Sequence, residues 1–196
     1  MIKKYLLVSV LIICFSFIGS DWKVVNSEDD IFVYNRDVPE STMPQSKVET
    51  LHKNGSLKKF KNVLLDFKSY KNWIPRCSTS ELVENESGRL IYYAIYAAPW
   101  PVSDRDVYIE VTFTESENKF VMTSKALNAF KPKKEDNVRI PLMISEWVVE
   151  KKGKDVFISN TSLSKPGGNI PDWLTSDATT NLPLKLMGNL IERAGE

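Results

Sequence analysis

The chain has 196 residues, 42% of them apolar and 26% charged, which is the make-up of one ordinary globular domain able to bury a real core. Its 26 basic and 25 acidic side chains nearly cancel, and nothing in them argues for nucleic acid, which calls for a basic face. The clusters Lys131-Pro132-Lys133-Lys134 and Lys151-Lys152-Gly153-Lys154 are short and read as solvated turns between strands, rather than as docking patches for anionic headgroups.

Lys3 and Lys4 precede an apolar run from Tyr5 to Ile18, and Gly19-Ser20 follows. A basic start, a short apolar stretch and a small-residue exit describe a secretory signal peptide over residues 1–20. The alternative is an uncleaved anchor, for which the run is short of about twenty apolar residues. Leu11-Ile12-Ile13 before Cys14 lack the small residues of a lipoprotein cleavage site. Cleavage after Ser20 takes the formal net charge from +1 to −1 and leaves Cys77 as the one cysteine, so the expected mature chain, residues 21–196, has no internal disulfide. Cys77 has no His or metal-ligand partner near it in sequence and reads as a half-buried strand residue. These features favour an exported protein, periplasmic or secreted, of bacterial type.

Asp21 to Asn26, Ile31 to Arg36 and Ser46 to Leu51 are expected as short strands between polar turns. Ser56 is placed as a helix N-cap, with Leu57, Phe60, Val63, Leu64 and Phe67 following at helical spacing. A second short helix is expected over Ser69 to Trp73, ended by Pro75. From Thr79 to Ser164 the pattern is strand after strand: Leu82-Val83, Leu90 to Ala98, Val107 to Thr114, Phe120 to Leu127, Val138 to Val149 and Val156 to Leu163, an antiparallel meander. In the strand that starts at Asp106, Val107, Ile109, Val111 and Phe113 form a buried face, and Asp106, Tyr108, Glu110 and Thr112 the opposite one.

A long helix closes the chain. Pro171 suits its first turn, Trp173, Leu174, Ala178, Leu182, Leu186, Leu190 and Ile191 form an apolar stripe, and Gly195 fits a C-terminal cap. Pro183 is expected to kink or break it, either as a plain kink or as a weak point that lets a lid open. The order is α+β. A sheet of so many strands curls, and a helix across its concave face leaves room for side chains or a ligand.

Two segments stand out. Ala97-Ala98-Pro99-Trp100-Pro101-Val102-Ser103-Asp104-Arg105-Asp106 flanks a tryptophan with prolines and leads through a polar turn into a strand. Pro166-Gly167-Gly168-Asn169-Ile170-Pro171-Asp172-Trp173-Leu174 turns the last strand into the final helix. Here the sequence resembles the START family, the steroidogenic-acute-regulatory-protein-related lipid-transfer domains of the helix-grip, Bet v 1-like superfamily. That family carries a Pro-Trp-Pro segment followed by an Arg-Asp pair, and a Pro-Gly-Gly…Ile-Pro-Trp turn before its last helix. The resemblance covers Asp21 to the C-terminus.

The resemblance implies a helix-grip fold, in which a curved antiparallel sheet wraps the long C-terminal helix and encloses an apolar cavity. It implies binding, and transfer, of one lipid or other apolar molecule, without a cofactor or metal, by a monomer that touches membranes transiently. Carried over, Trp100, Trp173 and the stretch from Asp177 through Thr180 to Leu184 line or cover the tunnel, and Val111, Met122 and Trp147 form its wall. Trp100 and Trp173 are equally readable as core anchors. Tyr92, Tyr93 and Tyr96 either place a hydroxyl in the cavity or stand in strands with one tip in solvent. Arg105, beside Asp104 and Asp106, is either a structural ion pair or turn clamp or a ligand contact. Sterol-binding members have a basic residue six places after the arginine of the Arg-Asp pair. That position here is Val111, which implies that the buried charged pair is absent and the ligand more apolar. Lys165 stands where the family usually has Asp.

The alternative is an enzyme of the same superfold, cyclase-like or hydrolase-like, acting on an apolar substrate. His52 is the lone histidine, and no nucleophile elbow, phosphate loop or metal-ligand spacing occurs. Glu146 and Asp177 are the carboxylates that could face a cavity and act as general acid or base.

Overall fold

The computed structural model describes residues 21–39, 41–86, 89–132 and 136–195. The expected signal peptide lies outside the described residues, as do parts of the Lys131 to Lys134 and Asn85 to Gly88 turns. Ten strands form one antiparallel sheet with a single parallel pairing. They are β1 (Lys23–Glu28), β2 (Ile31–Arg36), β3 (Gln45–His52), β4 (Cys77–Glu86), β5 (Arg89–Tyr96), β6 (Arg105–Glu115), β7 (Lys119–Ala126), β8 (Val138–Arg139), β9 (Leu142–Lys152) and β10 (Asp155–Lys165). Their spatial order is β1-β2-β3-β10-β9-β7-β6-β5-β4, with β8 parallel to β6. The helices are α1 (Leu57–Leu65), α2 (Tyr70–Trp73) and α3 (Asp172–Gly195), with a 3-10 turn over Phe67–Ser69. This is the helix-grip arrangement: a curved sheet holding one long helix.

The core lies where α1 and α3 meet the central strands. Phe60 and Leu64 of α1 and Met187 and Leu190 of α3 are buried with Val33, Val48, Phe120, Val149 and Ile158. Alternation along β6 holds through Val107, Ile109 and Val111 and then fails, since Phe113 at its far end is 46% exposed. Asp106, on the opposite face, is fully buried because Arg139 of β8 reaches it with two hydrogen bonds.

Two boundaries and one cap differ from the sequence expectation. β4 begins at Cys77, well before Leu82: Arg76 takes a left-handed conformation (φ 62°) that turns the chain out of α2 directly into the strand. The expected strand Val138 to Val149 is two strands, because Pro141 has no N–H to offer a ladder. Its first part instead zips onto β6, with Val138 N–H donating to the Asp104 carbonyl (2.8 Å) and Ile140 N–H to the Asp106 carbonyl (3.0 Å). Ser56 is the α1 N-cap by backbone position, but its side chain makes no capping bond.

Helix α3 runs unbroken through Pro183. A proline leaves the carbonyl four residues earlier without its helical donor. That acceptor is Thr179 O, and Ser46 Oγ of β3 donates to it at 3.3 Å. The Asn35 side-chain nitrogen, oriented to suit its neighbours, donates to it at 3.0 Å. The sheet thus satisfies what the proline removes, which is why the helix is not broken. The helix also buries a stripe other than the expected one. Leu174, Thr179, Pro183, Met187, Leu190 and Ala194 are buried, whereas Trp173 is exposed.

The Pro166-Gly167-Gly168 turn reverses the chain from β10 into α3. Gly167 has φ 72°, and a Cβ there would lie 2.9 Å from the Arg139 carbonyl oxygen, so left-handed backbone and close approach both call for glycine.

Candidate functional site

Two adjoining lobes of free space lie between α3 and the sheet, of about 160 Å³ and 260 Å³. Arg76, Tyr96, Ile140, Ser162, Ser164 and Ala178 border both. The first lobe sits beneath the glycine turn, against Ala97, Ala98, Arg105, Pro166, Ile170 and Leu174. The second runs along the sheet, between Met122, Met143 and Trp147 on one side and Leu182, Pro183 and Leu186 on the other. Leu174, Ala178, Leu182 and Leu186 recur every four residues, which puts one face of α3 over the cavity. The buried stripe beside it packs the helix onto α1 and β2–β3. The apolar stripe of the sequence therefore divides between core and cavity.

The sheet wall is not uniformly apolar. Ser124 of β7 pairs with Ser145 of β9, Ser145 with Ser162 of β10, and Ser162 with Ser46 of β3. In-register partners point to the same side of a sheet, so four hydroxyls form a row across the cavity wall. All four border a lobe. Ser46 is engaged with Thr179 O. Asn160, beside the row, is held by a bond from its side-chain nitrogen to the Glu146 carbonyl (3.2 Å).

Burial pushes the hydroxyls of Tyr70, Tyr92 and Tyr96 upward from the ordinary tyrosine value, so all three are neutral. The Tyr70 hydroxyl donates to the Leu64 carbonyl. Tyr92 and Tyr96 are hydrogen-bonded to each other, and Tyr92 stacks on Phe67 with ring centroids 5.1 Å apart. Of the tyrosines weighed from the sequence, Tyr92 and Tyr96 border the cavity. The Tyr93 hydroxyl points instead to Asp106, at 3.3 Å.

Two guanidinium groups reach the first lobe. Arg76 borders both lobes and donates from Nη2 to Asp177 Oδ2 at 2.7 Å. Arg105 is only 6% exposed. It is clamped by backbone carbonyls, donating from Nη1 to Ser103 O and from Nη2 to Gly167 O (3.3 Å), so it joins the two motifs singled out in the sequence. Its Nε has no partner among the described residues. Of the two structural readings of Arg105, the structure gives the turn clamp and not an ion pair with a neighbouring aspartate. Asp106 is taken by Arg139, and Asp104 Oδ1 accepts from the Ala98 N–H at 2.9 Å. Burial pulls the Arg105 guanidinium below its ordinary value, and the nearby charge of Asp104 opposes that. Val111 brings no charge to the position where sterol-binding members carry a basic residue, and the cations of this cavity come from Arg76 and Arg105.

Of the remaining sequence candidates, Met122 and Trp147 border the second lobe. Val111 is buried in the core and does not border either lobe. Thr180 Oγ1 donates to its own helix at Ser176 O (2.7 Å), and Leu184 packs on the core. Trp100 is 93% exposed and Trp173 57%, so neither is a core anchor and neither borders the cavity. Each adjoins lining residues in sequence, Ala97-Ala98 and Leu174 respectively. Glu146 is exposed, on the face of β9 opposite Ser145 and Trp147, and Asp177 is bound by Arg76 outside the lobes. Neither carboxylate faces the cavity, so both acid–base candidates are corrected.

Arg76 and the serine row escaped the sequence reading. For the serines a signal existed, since Ser145, Trp147 and Val149 alternate along β9, as do Ile158, Asn160 and Ser162 along β10. Arg76 carried none, since only the left-handed turn after Pro75 aims it inward.

The curved sheet, the gripped helix and the adjoining lobes beneath it define a helix-grip fold. Comparison with known proteins agrees. The chain is 29% identical over 175 residues to an uncharacterized protein of Pseudomonas aeruginosa, covering 88% of this chain and 86% of that one. It is 27% identical over 172 residues to the phosphatidylcholine transfer protein of Mus musculus, covering 83% and 78%. Among solved structures it superposes on a STAR-related lipid transfer protein from Xanthomonas axonopodis with TM-score 0.80 and 25% identity, over 89% of this chain and 99% of that one. A Streptomyces aromatase/cyclase shares the fold alone, at TM-score 0.53 and 12% identity, over 77% and 94%. No family model matches the chain. The likeness to START lipid-transfer proteins read from the two motifs thus extends to the whole domain.

Proposed function

We propose that this protein is a non-catalytic carrier that takes one lipid, or a molecule of similar polarity, into the space between α3 and the sheet. The observation that carries the reading is the pair of adjoining lobes, walled mainly by apolar side chains of α3, β7 and β9. Each CH₂ buried there contributes about 0.8 kcal/mol, so a single acyl chain holds itself in place. A catalytic reading needs a titratable pair converging on bound substrate, and the two carboxylates considered for it stand outside the lobes. Native mass spectrometry of the purified protein, followed by organic extraction, tests the proposal. One stoichiometric lipid mass is expected. A protein that is empty and takes up no fluorescent lipid overturns it.

Two further parts of the proposal concern where the carrier works. Trp100 and Trp173 adjoin the lining of the first lobe and are exposed, and indole rings favour the membrane–water interface. They would seat the protein transiently on a bilayer during loading. The first twenty residues would direct export and be removed after Ser20, supported by Lys3-Lys4, the apolar run and the Gly19-Ser20 exit. Sequencing the N-terminus of the exported protein should give Asp21, and a retained leader would overturn that step.

A further inference from the structure

Resting on the carrier reading, we propose that the ligand is an acidic lipid whose single oxyanion group, carboxylate or phosphate, docks in the first lobe against Arg105, with its chain in the second lobe.

Arg105 is the reason. A guanidinium taken out of water needs a countercharge or a full set of acceptors. Arg105 is buried, borders the first lobe, makes no ion pair among the described residues and leaves Nε without an acceptor. Two of its five N–H donors are spent on backbone carbonyls. Asp106 is paired with Arg139 and Asp177 with Arg76, while Asp104, whose charge is felt at Arg105, makes no ion pair with it and accepts instead from the Ala98 amide. What remains is a cation at the wall of a cavity, held in orientation by two carbonyls.

The rest of the lobe suits the same group. Arg76 brings a second guanidinium, and Ser162 and Ser164 add hydroxyl donors. Charge-assisted bonds from such donors are roughly twice as strong as neutral ones. The second lobe has no comparable cation beyond Arg76 at the junction, and offers Met122, Trp147, Leu182 and Leu186 to a hydrocarbon chain. Arg76, Ser162 and Ser164 border both lobes, so what sets the first lobe apart is the Arg105 guanidinium, which borders it alone. An uncharged lipid would leave Arg105 buried without an ion-pair partner and its Nε without an acceptor.

The test measures binding of a fluorescent long-chain fatty acid and of the alcohol with the same chain and label to the delipidated protein. A second pair, phosphatidic acid and diacylglycerol, replaces carboxylate by phosphate. The acid of at least one pair should bind about tenfold or more tightly than its neutral partner. Arg105→Gln should bring that ratio close to one, and Arg105→Lys, which keeps the charge, should retain part of it. Because Arg105 also clamps the glycine turn, the glutamine variant is checked for a cooperative melt. Should it not fold, the structure of the wild-type protein with the acid bound decides, by whether the oxyanion lies within hydrogen-bond distance of Arg105. Equal binding of acid and neutral lipid, or an unchanged ratio in Arg105→Gln, overturns the proposal and leaves the carrier reading standing. Failure of all four lipids to bind overturns the carrier reading as well. Millimolar inorganic phosphate should not displace the acid; if it does, the site belongs to a free anion and the lipid headgroup is excluded.

Discussion

Arg139 Nε and Nη2 each lie 2.9 Å from a different carboxylate oxygen of Asp106, a fork that fastens the two-residue strand β8 to the start of β6. Asp106 is fully buried, and the Tyr93 hydroxyl also reaches it. This pair carries the Arg105 segment at the correct height above the sheet, because Arg105 is the next residue along.

Removing one partner of a buried pair strands the other, at a cost of about 3–5 kcal/mol. Arg139→Met should therefore destabilise by that order in chemical denaturation. The double change Asp106→Leu with Arg139→Met should recover much of the loss, because no charge is left unpaired. A single Arg139→Met costing under about 1 kcal/mol would show that the fork contributes little.

Gly167 should tolerate a side chain worse than Gly168. Both are left-handed, at φ 72° and 63°, and an alanine in that region costs about 1–2 kcal/mol. At Gly167 the new Cβ also meets the Arg139 carbonyl at 2.9 Å, whereas at Gly168 its nearest neighbour is 3.8 Å away. Thermal melts should rank wild type above Gly168→Ala, and Gly168→Ala above Gly167→Ala. The reverse order would refute the close approach.

Cys77 begins the alkaline limb of the stability curve, at lower pH than the buried tyrosines Tyr70, Tyr92 and Tyr96, which are raised from 10.0. Burial raises its thiol from 9.0 to about 11, with a hydrogen bond from the Thr79 backbone opposing. Between those values the unfolded chain has lost the proton and the folded one has kept it. Unfolding thus releases a proton, and stability falls as pH rises, by about 1.4 kcal/mol per unit. Urea midpoints measured from pH 8.5 to pH 10 should decline, and Cys77→Ala should flatten that decline whatever its own offset. An unchanged slope in the variant would remove Cys77 as its source. The folded protein should also resist thiol alkylation at pH 8.

Ala178 borders both lobes, so Ala178→Phe should fill their junction while the buried stripe of α3 stays intact. Lipid affinity is expected to fall by about tenfold or more with the cooperative melt preserved. Undiminished binding would place the ligand elsewhere.

Trp100→Ala should leave stability within about 0.5 kcal/mol, since the ring contributes almost nothing to packing. It should slow lipid uptake from vesicles without changing the amount bound at equilibrium. Equal uptake rates would refute membrane contact through this residue.

The element order was legible from the residues alone, because period-two alternation, the prolines and the glycines act locally. The apolar run of α1, the stop before Pro75 and the turn at Gly167-Gly168 each follow from the chemistry of neighbours in the chain. The helix-grip class and the likeness to START proteins followed from the element order and from two short motifs, the Pro99-Trp100-Pro101 segment leading to Arg105-Asp106 and the Pro166-Gly167-Gly168 turn. Other features lay beyond local rules. Arg105 was read against its sequence neighbours Asp104 and Asp106, yet its partners are the Ser103 carbonyl and, across 62 positions, that of Gly167. Asp106 was placed on a solvent face and is buried by Arg139, 33 residues away. The serine row exists only because β7, β9, β10 and β3 pair in one register, and a one-residue slip would turn every hydroxyl away from the cavity. Local sequence determined which segments become strands and helices. Strand register and the seat of α3 decided which of their side chains share the cavity, because those depend on contacts between residues far apart in the chain.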